Sequence, residues 1–169
     1  MGVRGIALQW FISYLSGRHQ SVQIINNRGK SHPKYSSVPK GVPQGSILGP
    51  LLFLLYVNDL INFIQAFLIQ YADDTSVIVK AKSLAALELL LQYILDILNS
   101  WFLSNNVFLN KDKTKIIHFR PRRNQSEVVA VIDGVAVCEA ASVSFLGFQI
   151  DPDFTWNLHI DHLCSRLRM

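Results

Sequence analysis

The sequence predicts a fold that mixes helices with antiparallel strands. Apolar stretches with helical spacing alternate along the 169 residues with short β-prone runs that are joined by turn residues. Half of the residues are hydrophobic and 17% are charged, which is enough for a packed core and unlike the composition of a disordered segment. The length fits one domain, or one domain and part of a second.

The first third of the chain predicts a core-facing helix, a basic hairpin, a glycine-containing loop and a second helix, over residues 3–16, 20–38, 40–46 and 47–63. The two strands of the hairpin, 20–25 and 34–38, are expected on either side of a turn with Arg28 and Lys30 near its tip. Ser46 is expected to cap the second helix. A glycine-containing loop that leads into a helix N-terminus suits close approach of a phosphate, although most such loops are structural.

The hairpin predicted over residues 67–79 carries two adjacent carboxylates, Asp73 and Asp74, between two apolar, β-prone runs. Carboxylates suit hard cations such as Mg²⁺, which binds through one or two carboxylates together with substrate phosphates. A pair of such ions stabilises both the attacking and the leaving oxygen in phosphoryl transfer. The alternative is a polar hairpin turn without chemistry, since Asp is common in turns.

The second half predicts a leucine-rich helix, a lysine-rich loop, four strands and a final helix, over residues 83–105, 111–115, 116–119, 128–132, 135–138, 144–150 and 156–169. The leucine-rich helix is interpreted as core packing. Lysines beside a carboxylate pair suit phosphate neutralisation or proton donation, with a solvated loop as the alternative. Asp133-Gly134 predicts a two-residue hairpin turn of type I′. His159 and His162 with Cys164 lack the Cys-x-x-Cys pair and the fourth ligand of a zinc site.

The basic residues are unevenly distributed. Residues 1–58 contain six basic residues and no Asp or Glu, a charge of +6, whereas the remaining residues carry ten basic and twelve acidic ones, a charge of −2. An acid-free basic segment suits contact with a polyanion, and a solvated basic face is the alternative. The six basic residues are Arg4, Arg18, Arg28, Lys30, Lys34 and Lys40.

Signals for a compartment or a membrane are few. With two cysteines, Cys138 and Cys164, no disulfide framework is expected and a reducing, intracellular compartment is the default. The sequence after Met1 does not predict a secretory signal. The apolar run 47–57 is too short to span a bilayer and is interrupted by Gly49-Pro50, so we expect a buried helix there and no membrane partner.

Four short motifs lie in order along the chain: GVPQGSILGPLLF at residues 41–53, YADD at 71–74, LNKDKTK at 109–115 and FLG at 145–147. In this order and spacing they resemble motifs B, C, D and E of the reverse transcriptases of non-LTR (LINE-like, jockey-type) retrotransposons. Residues 5–18 are similar to the stretch that precedes motif B in that family. The resemblance covers nearly the whole chain, and motif B favours reverse transcription over an RNA-copying RNA polymerase.

The resemblance implies DNA synthesis on an RNA template from a DNA primer and deoxynucleoside triphosphates (dNTPs), with two Mg²⁺ ions, or with Mn²⁺ in their place. Asp73 would hold metal and Asp74 would support the same site. Lys113 would donate a proton to the pyrophosphate, with Lys115 as the second candidate. The residues implied on the nucleotide and template side are Pro43, Gln44, Gly45, Tyr71 and Ala72. The implied primer grip is Phe145, Leu146 and Gly147.

The implied fold is α+β: a partial right-hand polymerase palm, in which an antiparallel sheet is backed by helices, over residues 1–150, and the beginning of a thumb over residues 151–169. The family takes its first metal-binding aspartate from motif A, upstream of motif B, whereas the first acidic residue here is Asp59. We therefore expect the isolated chain to bind Mg²⁺ weakly and to polymerise nothing detectable. The rest of the parent polyprotein would supply the fingers, motif A and, in many members of the family, an endonuclease domain.

A non-catalytic retroelement remnant that at most binds nucleic acid is the alternative function. Enzymes of the family commonly prime at nicked chromosomal DNA, so the nucleus is the expected location, with the cytoplasm as the alternative.

Overall fold

A computed structural model of the chain divides into two units, Met1–Asn58 (unit 1) and Asp59–Met169 (unit 2). The residues that it describes are 2–26, 29–31, 34–120 and 127–167. Helices and small antiparallel ladders occur in both units, which is consistent with the α+β class.

Unit 1 contains, in chain order, α1 (Gly5–Leu15), β1 (His19–Gln20), β2 (Ile24–Asn26), β3 (Gly29–Ser31), β4 (Ser36–Ser37) and α2 (Leu48–Val57). Strands β2 and β3 form an antiparallel hairpin, and β1 pairs with β4. The predicted basic hairpin is therefore present, and its returning chain pairs in two places: β4, inside the predicted strand 34–38, pairs with β1, whereas β3, which was not predicted, pairs with β2. The predicted tip residue Arg28 lies outside the described residues.

The helices of unit 1 are far more exposed than the sequence predicts. None of the residues of α1, all of which are described, is buried. In α2, Gly49 and Val57 are buried, whereas Ile47 just before the helix is 95% exposed and Leu55 is 65% exposed. The prediction of buried core helices is therefore wrong for both α1 and α2. In α2, apolar side chains lie all around the helix, so packing on one side leaves the other sides uncovered. The α-helix also ends earlier than predicted and continues as a 3₁₀ turn, Asn58–Asn62.

The described residues of unit 2 form three hairpins and two helices: β5 (Phe67–Tyr71), β6 (Asp74–Ile78), α3 (Leu84–Ser104), β7 (Val129–Ile132), β8 (Val135–Cys138), β9 (Val143–Phe145), β10 (Phe148–Ile150) and α4 (Asn157–Leu167). Each hairpin pairs two consecutive strands in antiparallel fashion. Within the described ranges these strands make separate two-stranded ladders and no larger sheet. Helix α3 packs on β7, and α4 packs on β10.

The core of unit 2 is built on α3, and the long helix predicted by the leucine-rich pattern is confirmed. The Ser83 hydroxyl accepts the Ala86 N–H at 3.3 Å as the N-cap, and Asn105 ends the helix. Helix α3 is also long and apolar enough to cross a membrane, a property that packed core helices share. The buried hydrophobic residues described in unit 2 are Leu60 and Ile64 before β5, Ile94, Leu95, Leu98, Trp101 and Phe102 on α3, and Val128, Ala130, Ile132 and Val137 on or beside β7 and β8.

Two predicted strands take a different form. Residues 144–150 belong to the hairpin β9–β10 and not to one strand, because the backbone turns back at Leu146 and Gly147, with φ of +48° and +88°. Apolar residues continue through this turn, so the sequence pattern hides it. The predicted strand 116–119 contributes one isolated parallel bridge, from Ile116 to residue 139.

Candidate active site

The Asp73-Asp74 pair lies at the tip of the hairpin β5–β6. Tyr71 and Asp74 pair across the hairpin, so Ala72 and Asp73 form a two-residue turn. Ala72 has a φ of +52°, in the left-handed region where residues other than glycine are uncommon. Backbone strain of this kind clusters at functional sites, where the surrounding structure maintains it. The predicted hairpin with carboxylates at its tip is confirmed.

Both carboxylates at this tip are exposed. In the described part of the chain, no basic side chain forms an ion pair with Asp73 or Asp74. Two adjacent carboxylates fit one hard divalent cation such as Mg²⁺, with water or phosphate oxygens as its other ligands. Two close cations need further carboxylates, and the described residues contain no group of three or more His, Cys, Asp or Glu side chains placed to hold a metal. The donor set therefore fits one ion that is held partly by outside ligands.

The glycine loop, residues 41–46, leads into α2 in unit 1. Gly41 and Gly45 both have a φ of +77°, which L side chains rarely adopt, so the loop favours glycine at both places. Gln44 and Gly45 are exposed, and Pro43 is half-buried. The loop thus presents a polar side chain and a bare stretch of backbone to solvent, which suits close approach of a ligand.

Ser46 fixes the end of the glycine loop on the helix. Its hydroxyl donates to the Pro43 carbonyl oxygen at 2.7 Å, and its Oγ accepts the Gly49 N–H at 3.1 Å. Ser46 therefore caps α2 as predicted, although Ile47 occupies the N-cap position of the helix. Gly49 is buried against this cap, where a Cβ would lie 3.0 Å from the Ser46 Oγ and 3.1 Å from the Pro43 oxygen. A side chain at position 49 requires the Ser46 hydroxyl or the Pro43 carbonyl group to give way by a few tenths of an ångström.

The three lysines of the loop after α3 have different surroundings. The Lys111 Nζ lies 3.0 Å from the Asp133 Oδ2, and the Asn99 Nδ2 donates to the Asp133 Oδ1 at 2.6 Å. The hydrogen bonds from Lys111 and Asn99 hold the pKa of Asp133 below its usual value. Lys113 and Lys115 are exposed. Lys111 thus attaches the loop to the β7–β8 turn, and the other two lysines remain accessible to a ligand.

Phe145, Leu146 and Gly147 form the end and turn of the hairpin β9–β10. Leu146 is 46% exposed at this turn. The Gln149 N–H donates to the His159 Nδ1 on α4 at 3.4 Å. Helix α4 therefore backs the hairpin that carries these three residues.

Asp151, a residue that the sequence analysis did not single out, organises the loop between β10 and α4. Its side chain accepts the N–H groups of Thr155 at 3.1 Å and Asp153 at 3.0 Å, and the Thr155 hydroxyl at 3.0 Å. These hydrogen bonds, the one from the Thr155 N–H above all, lower the pKa of Asp151. The loop holds Phe154 and Trp156 at φ of +51° and +63°. The signal in the sequence is the Asp-Pro pair at residues 151 and 152, which favours the start of a turn, and an Asp side chain that can bond to the backbone ahead of it.

Glu139 is a second residue that the sequence patterns did not indicate, and its side chain is 8% exposed. Its Oε2 accepts the Val128 N–H at 3.1 Å and lies 3.3 Å from the Arg120 Nη1 and 3.8 Å from the His118 Nδ1. Glu139 thereby joins the segment after the lysine loop to β8. Because Arg120 is 19 residues away along the chain, no local pattern indicates this contact.

The predicted site residues therefore fall into four local groups. The structure brings Tyr71, Ala72, Asp73 and Asp74 together in one turn. This turn, the lysine loop and the β9–β10 turn belong to unit 2, whereas the glycine loop belongs to unit 1.

Comparison with known proteins gives the family. Residues 2–150 match the family described as reverse transcriptase (RNA-dependent DNA polymerase). The chain is similar to the RNA-directed DNA polymerase from mobile element jockey of Drosophila melanogaster, with 28% identity over 164 residues, 92% of this chain and 17% of the relative. It is 29% identical over 161 residues to the probable RNA-directed DNA polymerase from transposon X-element of the same species, again 92% and 17% of the two chains. A retrovirus-related Pol polyprotein from type-1 retrotransposable element R1 of Bradysia coprophila is 25% identical over 161 residues, 93% and 16% of the two chains.

No solved structure matches the chain significantly. The chain spans 16% to 17% of the length of these three relatives. The resemblance that the four motifs carry, to the reverse transcriptases of jockey-type retrotransposons, is confirmed. The chain belongs to the reverse transcriptase (RNA-dependent DNA polymerase) family.

Proposed function

We propose that the chain forms part of the palm of an RNA-directed DNA polymerase from a non-LTR retrotransposon. The parent polyprotein would add nucleotides from dNTPs to the 3′-OH of a DNA primer on an RNA template. The observation that carries this proposal is the hairpin β5–β6, whose turn exposes Asp73 and Asp74 without an ion pair to any described basic side chain. Carboxylates in this arrangement are available to an external cation.

Asp73 and Asp74 would hold Mg²⁺, or Mn²⁺ in its place. When bound, such an ion balances the negative charge of the phosphates during nucleotidyl transfer. The two carboxylates supply part of a coordination shell, and a further carboxylate from the parent protein would complete the site. The isolated chain should therefore bind the ion weakly and should not polymerise.

The glycine loop and the residues beside the Asp pair would receive the nucleotide and the template. Gln44 and Gly45 are exposed in the loop, which supports this role for them together with Pro43. Tyr71 and Ala72 share the turn with the carboxylates, which supports a position near the primer end.

The lysine loop would supply the proton for the leaving pyrophosphate. Lys113 is the first candidate and Lys115 the second, because both are exposed whereas Lys111 is engaged with Asp133. The turn at residues 145–147 would steady the primer backbone, and residues 151–169 would begin the thumb. The intact enzyme would act in the nucleus.

Metal binding is tested by NMR on the 169-residue chain with Mn²⁺ as the probe. Mn²⁺ should broaden the amide signals of residues 71–75 first. Asp73→Asn should abolish this local broadening, whereas Asp112→Asn, which removes another exposed carboxylate, should leave it unchanged. Equal broadening in the wild type and in Asp73→Asn would overturn the proposed metal site.

Primer extension on an RNA template with Mg²⁺ tests the activity. We expect no extension from the isolated chain or from its Asp73→Asn, Asp74→Asn double variant. If the isolated chain extends the primer and the double variant does not, a carboxylate from elsewhere completes the site. In the parent polyprotein the double substitution should abolish extension, and unchanged extension there would refute the catalytic role.

A non-catalytic remnant that binds nucleic acid is the second candidate function. The acid-free charge of +6 on residues 1–58 favours binding to a polyanion with or without catalysis. An intact parent polyprotein that binds a primer–template but does not extend it would favour the remnant.

A further inference from the structure

Arg18 lies between the end of α1 and the start of the glycine loop. Its Nε–H donates to the Leu15 carbonyl oxygen at 3.0 Å, and its Nη2 donates to the carbonyl oxygens of Gly41 and, at 3.1 Å, of Lys40. The carbonyl oxygen of Arg18 itself accepts the Val38 N–H at 2.8 Å. One guanidinium thus joins the end of α1 to a backbone segment that lies 23 residues beyond Arg18 in the chain.

The two glycines of the loop have no side chains whose packing could fix its conformation. A Cβ at Gly41 or at Gly45 would meet no atom within 4 Å, so both positions face open space. The far end of the loop is held by the Ser46 cap. Hydrogen bonds therefore hold the loop at its two ends, from Arg18 at one end and from Ser46 at the other.

We infer that Arg18 is a positioning residue for the glycine loop and does not contact a nucleic-acid backbone. The role of the loop toward the nucleotide rests on the proposed function, whereas the role of Arg18 in holding the loop does not. A planar guanidinium carries its donors in a fixed fork, so it can hold two adjacent carbonyl groups and a third one together. A lysine ammonium is a point charge on a flexible stem and does not reproduce this arrangement.

Arg18 differs in its contacts from Lys34, another basic residue of unit 1. By charge alone, Arg18 and Lys34 are equivalent candidates for contact with a polyanion. In the structure Lys34 is exposed, whereas Arg18 is half-buried and donates to three carbonyl groups. Hydrogen bonds from a charged donor to the backbone are worth more than neutral ones, which suits an anchor for a loop.

Hydrogen exchange of the 169-residue chain, resolved residue by residue with NMR, tests the inference. Arg18→Gln should accelerate exchange of the Val38 and Gly49 amides about tenfold, because it removes charge-assisted hydrogen bonds that hold the loop. Arg18→Lys should have the same effect although it keeps the charge. Lys34→Gln, which removes a positive charge from an exposed site, should leave these amides unchanged. The amides of β5 and β6 should be unaffected in all three variants, which distinguishes loosening of the loop from unfolding.

The inference would be overturned if these amides exchanged at the wild-type rate in Arg18→Gln, or if they kept their wild-type protection in Arg18→Lys. A second measurement is the salt dependence of binding to a single-stranded RNA oligonucleotide. Arg18→Gln should keep the slope of log affinity against log salt, and a loss of about 0.7 in that slope would identify Arg18 as a phosphate contact instead. A chain that does not bind RNA at all would count against the proposed function, while the exchange rates would still decide the role of Arg18.

Discussion

Gln92 on α3 forms two hydrogen bonds with the backbone of Val131 on β7. Its Nε2 donates to the Val131 carbonyl oxygen at 2.8 Å, and its Oε1 accepts the Val131 N–H at 2.9 Å. The side-chain amide therefore pairs with the strand as another strand would, on the edge of β7 that β8 does not cover. It fixes the helix on the hairpin and closes an edge to which another chain could otherwise add.

Replacing Gln92 by Met should destabilise unit 2 by about 1 kcal/mol, because the Val131 N–H and carbonyl lose both partners while the size of the side chain is kept. The change is measured as a fall in the urea midpoint of unfolding. Gln65→Met, the same substitution at an exposed site, should leave the midpoint unchanged. Equal midpoints for the two variants would show that the amide pair contributes nothing.

Gly49→Ala should destabilise unit 1 although alanine is the better helix former. The alanine Cβ would lie 3.1 Å from the Pro43 backbone oxygen and 3.0 Å from the Ser46 Oγ, which costs about 1 to 3 kcal/mol when the neighbours must move. The gain in helix propensity is roughly 0.5 to 1 kcal/mol, so the net effect is a loss. Thermal unfolding measures it, with Gly2→Ala as the control because nothing lies within 4 Å there. A higher melting temperature for Gly49→Ala would contradict this account of the cap.

Glu139→Gln should destabilise unit 2 by about 2 kcal/mol, since it weakens a nearly buried ion pair with Arg120 and a hydrogen bond from the Val128 N–H. Chemical denaturation measures the loss. Glu127→Gln removes the same charge from an exposed position and should change stability little. If both variants unfold at the same denaturant concentration, the contacts of Glu139 with Arg120 and Val128 do not contribute to the stability of unit 2.

Asp151 should make stability depend on acid pH. Because its pKa is lower in the folded chain than in the unfolded one, its contribution is complete above the unfolded value, near 4, and is lost as the pH falls through the lower folded value. Asp151→Asn should therefore be less stable than the wild type at neutral pH, and the two should converge below about pH 4.

Urea midpoints measured across the acid range check this convergence. Asp161→Asn on α4, where the carboxylate is exposed, serves as the control and should follow the wild type. A gap between Asp151→Asn and the wild type that stays constant with pH would assign the effect of the substitution to shape and not to charge.

Features that depend on neighbouring residues were predictable from the sequence. Helix α3 has its apolar stripe and its Ser83 cap within one segment, and the turn between β7 and β8 needs only Asp133 and Gly134, which adopt φ of +45° and +75° as type I′ requires. The tip of β5–β6 was predictable for the same reason. The four motifs likewise place the candidate site residues, because each motif is one short stretch of chain.

Features that depend on distant partners were not predictable. The exposure of α2 follows from what packs on it, and the apolar pattern of a helix does not contain that information. Arg18 and Glu139 bind carbonyl or amide groups far along the chain. The composition therefore shows their charge but not which groups they bind. The sequence pattern does not reveal the turn at Leu146 and Gly147, because the apolar residues of both strands continue through it.

Exposed apolar side chains on α1 and α2 bear on how long the chain survives in a cell. Trp10, Leu51 and Leu55 each leave half or more of their surface in water. Surface of this kind promotes aggregation and capture by chaperones, and degradation competes with any productive encounter. We therefore expect the lifetime of this chain in a cell to lengthen when another protein surface covers these two helices.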